Sequence, residues 1–321
     1  MLAGVLFALA AGLMWGLIFV GPLLVPEYPA TLLSVGRYLA FGIIAAALAW
    51  HDRHRLRQLS RRDWAEAFRL TLIGNLLYYC CLAAAIQRTG APVATMLIGT
   101  LPVVITITSN LLYGRQEGQL PWIRLTPALL LIVIGLGCVN LAELQGAARH
   151  IAPGRYLSGL ALACIAVICW TWYPLRNARW LRAHPDKKPA TWATAQGVAT
   201  LPLALVGWLL VALLLNWTQP TFVLPFGPRP GVFLPLMLAI GLFCSWLGTR
   251  CWNEACQRLP TVLVGPLIVF ETLAGLAYTF ILRQSWPPLL TLTGIACLII
   301  GVLIAIRIKP RPIVKSSDIP L

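Results

Sequence analysis

Ten stretches of apolar residues alternate with short polar connections along this chain: 3–24, 31–50, 64–86, 92–113, 122–141, 156–173, 191–215, 232–252, 260–281 and 287–306. A helix needs about 20 such residues to cross the hydrocarbon core of a bilayer, and almost every run reaches that length. The pattern predicts an all-α membrane protein with ten transmembrane helices. The connections left over are too short to fold a soluble domain of their own. The first run carries no basic segment ahead of it and is longer than a signal-peptide core, so it is expected to be a retained helix.

Composition agrees with the pattern. Of 321 residues, 59% are hydrophobic and 11% are charged, against about 25% charged in soluble domains; the mean hydropathy is +0.79. The formal charge of +15 would suggest a nucleic-acid partner in a soluble protein. Here position explains it, because 18 of the 25 Lys and Arg residues fall on one side if the spans alternate. The main clusters are Arg53–Arg62 and Arg176–Lys188. By the positive-inside rule both termini are expected in the cytoplasm of a bacterial-type inner membrane, with the bilayer and no nucleic acid as partner.

Nine cysteines lie in or at the ends of apolar runs without a C-x-x-C pair, and the four histidines (51, 54, 150 and 184) sit in loops. Neither a metal site nor a disulfide framework is expected, and small packing residues are the better reading. No nucleotide-binding loop, nucleophile elbow or zinc-protease motif occurs, so the chain reads as neither an enzyme nor a cofactor protein. Transport, if that is its work, must run on a gradient or downhill.

The chemistry sits inside the runs. Glu271 lies near the middle of the ninth, where an ionised carboxylate costs at least a few kcal/mol. Three roles stay open for it: carrying a coupling proton, binding a substrate amine, or hydrogen bonding a facing helix. Arg37 lies about two turns into the second run and either snorkels outward or faces a cavity. Trp15, Asn75, Tyr78, Tyr79, Trp170 and Trp246 complete the substrate-cavity candidates, since flat amphipathic rings suit amino acids and organic cations. Asn253 is a candidate for a polar contact or, near the inner boundary, a helix cap; Gly12 and Gly16 are a close-packing pair, and Pro102 is a mid-membrane proline.

An internal repeat organises these residues. Residues 84–102 overlay 254–272 at a constant offset of 170, Trp15 falls on Trp170, and Gly135 falls on Gly301. Two five-helix halves result, 1–150 and 151–308, followed by a tail at 309–321. An odd number of helices per half inverts the second copy, the architecture of secondary transporters with a midplane site. These stretches resemble the ten-helix drug/metabolite transporter superfamily of EamA type over nearly the whole chain. The resemblance implies alternating access and export of a small-molecule substrate. It also implies a Glu-Pro pair in the ninth helix, matched here by Glu271 followed by Thr272, and a Gly-Glu pair in the fourth, loosely matched by Gly114 and Glu117. A homodimer stays open, as do a lipid-linked or nucleotide-sugar carrier and a non-transporting membrane subunit. The nucleotide-sugar reading calls for more basic residues in the spans than Arg37 and Arg69.

Overall fold

The computed structural model describes residues 2–19, 21–89, 97–117, 119–144, 153–284 and 286–308, whose regular structure is entirely helical. By length and composition eight helices are able to cross a membrane, and two shorter apolar helices, Leu2–Gly16 and Leu101–Gly114, accompany them. The start of the expected fourth run, residues 92–96, lies outside the described residues, as do Arg149 and the tail. The main helices in chain order are α1 (Leu2–Gly16), α2 (Ala30–His51), α3 (Arg61–Thr71), α4 (Tyr78–Thr89), α5 (Leu101–Glu117) and α6 (Trp122–Leu144). They continue as α7 (Pro153–Ala183), α8 (Pro189–Thr218), α9 (Pro230–Ile240), α10 (Gly248–Arg258), α11 (Val264–Arg283) and α12 (Leu289–Arg307). Two π-helical segments, Leu72–Leu77 and Gly241–Leu247, join α3 to α4 and α9 to α10.

Two boundaries differ from expectation. The sixth run was expected to stop at Tyr173, but α7 continues through Pro174 to Ala183. An interior proline costs about 3 kcal/mol. Beyond it Leu175, Ala178 and Leu181 form a buried stripe at helical spacing, while Arg176 and Arg179 face out. Packing of that stripe outweighs the proline. Three of the basic residues expected in a loop therefore ride on the end of a helix. Pro102 is not a mid-helix proline either. It is the second residue of α5, where no backbone N–H is required, and its carbonyl accepts the Thr106 hydroxyl at 2.6 Å.

Helices pack in a reciprocal pattern. α1 lies against α10 and α11, whereas α7 lies against α4 and α5; α2 pairs with α8, and α6 pairs with α12. Glycines set the closest approaches. A methyl group at Gly12 would stand 2.7 Å from the Phe270 Cβ, and one at Gly16 would stand 2.6 Å from the Ala274 Cβ. The small-residue pair thus seats α1 directly on the turn of α11 that carries Glu271. Gly4 abuts Arg258 and Leu259, while Gly159 abuts Arg88 and Thr89. Gly135 meets Gly294 and Leu298, while Gly301 meets Ala128 and Ile132.

The two ends of the bundle are closed by different chemistry. At one end the loop before α2 meets the loop before α9. Tyr28 donates to the Phe226 carbonyl and accepts from the Arg229 N–H, both at 2.9 Å, and its ring stacks on Phe233. Arg229 grips Glu27 through Nε and Nη2, and the guanidinium beside Glu27 holds its carboxyl below the usual range. At the other end Asp52 accepts from Thr191, Lys187 reaches the Gln58 carbonyl, and Gln257 donates to the Lys187 carbonyl. The basic clusters gather there.

Candidate functional site

Arg37 sits seven residues into α2 from the Tyr28 end, and Glu271 sits seven residues into α11 from the opposite end. At 1.5 Å per residue each lies about 10 Å in. Arg37 does not snorkel outward. Its Nε donates to the Ser245 hydroxyl at 2.9 Å, and its guanidinium carbon stands 5.2 Å from the Tyr38 ring centre. Ser245 belongs to the second π-helical segment, whose wide turn carries it between α2 and α10. Arg37 lies within electrostatic range of Glu271, Tyr38, Tyr78, Tyr79, Tyr173 and Cys244, and Glu271 within range of Tyr38, Tyr78 and Cys244.

The two do not form a direct ion pair. Among the described residues no group lies within hydrogen-bonding distance of the Glu271 carboxylate, and its oxygens are not among the sealed polar atoms that lack a partner. The side chain is part-buried. The Nη edge of Arg37 is likewise left without a partner among the described residues. Both charged side chains thus keep unused hydrogen-bonding capacity.

Aromatic rings form a connected cluster that includes Tyr78. Trp15 meets Trp170 edge-on at 6.1 Å and Trp252 at 5.2 Å, and Trp170 continues the chain to Tyr78 at 5.8 Å and Tyr173 at 6.1 Å. Ring contacts thus join Trp15, Trp170 and Tyr78, and Tyr78 lies within electrostatic range of Arg37 and Glu271. The remaining three candidates have other partners. Tyr79 turns toward the start of α2, where its hydroxyl donates to the Ala30 carbonyl. Asn75, in the first π-helical segment, lines a narrow pocket with Tyr38, Thr71 and Thr200 beside α8. Trp246 donates to Thr194 at 3.0 Å and underlies Arg250.

Sequence reasoning missed a buried polar network that begins at Tyr173. Tyr173 donates to Gln196 Oε1, Gln196 Nε2 and Trp192 Nε1 both donate to Asn177 Oδ1, and Asn177 Nδ2 donates to Asn253 Oδ1, all at 2.8–2.9 Å. Asn253 is fully buried and donates to the Pro189 carbonyl, so it is no helix cap. Below it, Trp180 stacks on Trp192 with ring centres 3.4 Å apart and donates to Asp63. Glu66 pairs with Arg176. Gln196 was visible as a polar residue in an apolar run, whereas Asn177 lies between Arg176 and Arg179 and gave no such signal. Beside this network, Thr171 Oγ1 and Trp252 Nε1 are sealed without any partner.

With that geometry described, relatives of the chain become informative. The description of the EamA-like transporter family matches residues 2–141, and inner membrane protein YtfF of Escherichia coli (strain K12) is 63% identical over 317 residues, spanning 98% of this chain and 99% of that protein. The chain belongs to the EamA-like transporter family. A crystal structure of another protein, 19% identical, superposes with a TM-score of 0.70 over 94% of this chain and 96% of its own, a likeness of fold alone. As a member of a transporter family, the chain is not expected to make or break bonds at Arg37 and Glu271. With Thr272 where the family pair has proline, no kink is expected in the ninth helix, and α11 runs unbroken from Val264 to Arg283 through Glu271 and Thr272. The Glu117 side chain lies outside the described residues.

Proposed function

We propose that this protein is an inner-membrane secondary carrier that moves a small metabolite outward by alternating access between two inverted five-helix halves. The observation that carries the reading is a pair of charges inside the bundle, Arg37 from the first half, bonded to Ser245 of the second, and Glu271 from the second half, both in electrostatic range of Tyr78 and both with unused hydrogen-bonding capacity among the described residues. A bare charge in a membrane interior costs several kcal/mol. A purely structural bundle would do as well with apolar residues at both positions.

The repeat has support of its own. Gly4 against Arg258–Leu259 and Gly159 against Arg88–Thr89 are the same contact, with the glycines 155 residues apart and their partners 170 apart. Gly135 against Gly294 and Leu298 matches Gly301 against Ala128 and Ile132, every position shifted by 166. The π-helical segments also fall at equivalent places, since Asn75 and Ser245 are 170 apart. Repeats of opposite sense with a site at their interface are the geometry of rocking transporters. Both termini lie in the cytoplasm on this reading, and a reporter fused after Leu321 should be active only there.

Arg69 is exposed on α3 and does not join Arg37, so a single arginine faces the interior, too few for a nucleotide-sugar carrier. Glu271 is the proton-coupling candidate. Export rests on family likeness. The decisive experiment is a solute screen in proteoliposomes. Movement of at least one metabolite, abolished by Glu271→Gln, is expected. A protein that moves no solute yet copurifies stoichiometrically with another membrane protein would be a subunit instead.

A further inference from the structure

We infer that the outer stripe of α3 is a binding site for the phosphate of an anionic phospholipid, held by Arg62 and Arg69 on either side of Ala65. Arg61, Arg62, Ala65, Phe68, Arg69 and Leu72 are exposed, and the opposite face of the helix is buried. At 100° per residue the exposed set covers an arc of about 120° with Ala65 at its middle. That arc carries three arginines and no acid. Both acids of α3 point inward and are already engaged, Asp63 by the Ser60 N–H and the Trp180 indole, Glu66 by Arg176.

The positive-inside rule accounts for arginines in a connection, but not for Arg69, which lies about 12 Å along α3 from Arg61. Trp50, 73% exposed with the Arg53 guanidinium over its ring, marks this end of the bundle as a membrane boundary. Among the described residues the Arg62 and Arg69 side chains have neither a hydrogen-bond nor an ion-pair partner. A charge that deep in a span calls for one. Helical side chains lean toward the helix N-terminus, so Arg69 reaches back over Ala65, whose methyl leaves room, to the foot of Arg62. Two forked guanidiniums then meet one phosphodiester. Phe68 and Leu72 lie beside and below as an apolar surface for the acyl chain. A zwitterionic headgroup would bring its own cation beside three arginines, whereas phosphatidylglycerol brings none. Charge balance therefore commits the site to an anionic lipid of the leaflet that this basic end faces.

Thermal unfolding of the purified, delipidated full chain in neutral detergent tests this, with phosphatidylglycerol, phosphatidylcholine or soluble glycerol phosphate added. A ligand of the folded chain raises the midpoint. The expected result is a rise of several degrees with phosphatidylglycerol, little with phosphatidylcholine and none with glycerol phosphate. Arg62→Gln and Arg69→Gln should each remove most of the lipid-induced rise. So should Ala65→Glu, which sets a carboxylate between the arginines. All three positions are exposed, so the midpoint without lipid should stay where it is. Arg57→Gln, at an exposed arginine of the same end but off the stripe, should keep the rise. Equal rises with the two lipids would overturn the inference, as would a rise that survives any of the three substitutions on the stripe. A rise lost equally in Arg57→Gln would replace the site by a diffuse charge effect, and one matched by glycerol phosphate would assign the arginines to a soluble phosphate; either overturns the lipid site.

Discussion

The two ends of the bundle are held shut by unequal means. At the Tyr28 end the closure is one exposed ion pair, Glu27 with Arg229, and one tyrosine that bonds a carbonyl and an N–H across the gap. At the Asn253 end it is a dry chain of side chains, Tyr173, Gln196, Asn177, Asn253 and Trp192, in which each bond satisfies a group that would otherwise be stranded. Exposed pairs contribute little and are screened by salt, whereas a buried network is costly to break at any single point.

Breaking the buried network should have the largest effect. Asn177→Leu strands Trp192 Nε1, Gln196 Nε2 and the Asn253 oxygen, and should cost about 3 kcal/mol, read as a fall of several degrees in thermal unfolding in detergent. An unchanged midpoint would show the two closures to be alike. Removing either central charge comes next. Glu271→Gln and Arg37→Gln should each lower transport roughly 30-fold, the worth of one hydrogen bond to a charged group, with little change in the unfolding midpoint. Gly12→Leu should act between site and scaffold, because a side chain there has no room against Phe270 and the Glu271 backbone. Overpacking of this kind costs about 1–3 kcal/mol and should reduce transport together with stability.

The smallest effect is expected at the exposed closure. Glu27→Gln should leave the unfolding midpoint unchanged while raising the labelling rate of a cysteine placed at Phe226. The Glu27 carboxyl is held below its usual range by Arg229, so its contribution is complete above that range and is lost as pH falls through the lowered value. Labelling at Phe226 should therefore be flat near neutral pH and rise only in acid. Labelling that rises at neutral pH would assign the closure to another group.

Much of this architecture was legible in the chain itself. Hydrophobic runs located the helices, Gly12 and Gly16 announced a close approach, and Glu271 stood out as a charge in the wrong solvent. The offset of 170 came from paired motifs. The missing parts share a physical cause, since they depend on partners remote in sequence. Glu66 and Arg176 lie 110 residues apart and Asn177 and Asn253 lie 76 apart, so neither partner marks itself as buried. Pro174 reads as a helix stop until the stripe of Leu175, Ala178 and Leu181 is seen to be buried. The inward turn of Arg37 depends on Ser245, a hydroxyl 208 residues away on a π-helical turn that no local pattern announced.

The central claim is that Arg37 and Glu271 serve one ligand in one space. A double-mutant cycle measures it most directly: transport, in proteoliposomes, of a solute found in the screen proposed above, by the wild-type protein, Arg37→Gln, Glu271→Gln and the double variant. If one molecule bridges both charges, the double variant should be about as impaired as either single one, because losing one anchor already undoes the grip of the other. Losses that multiply, each charge acting on its own, would contradict it.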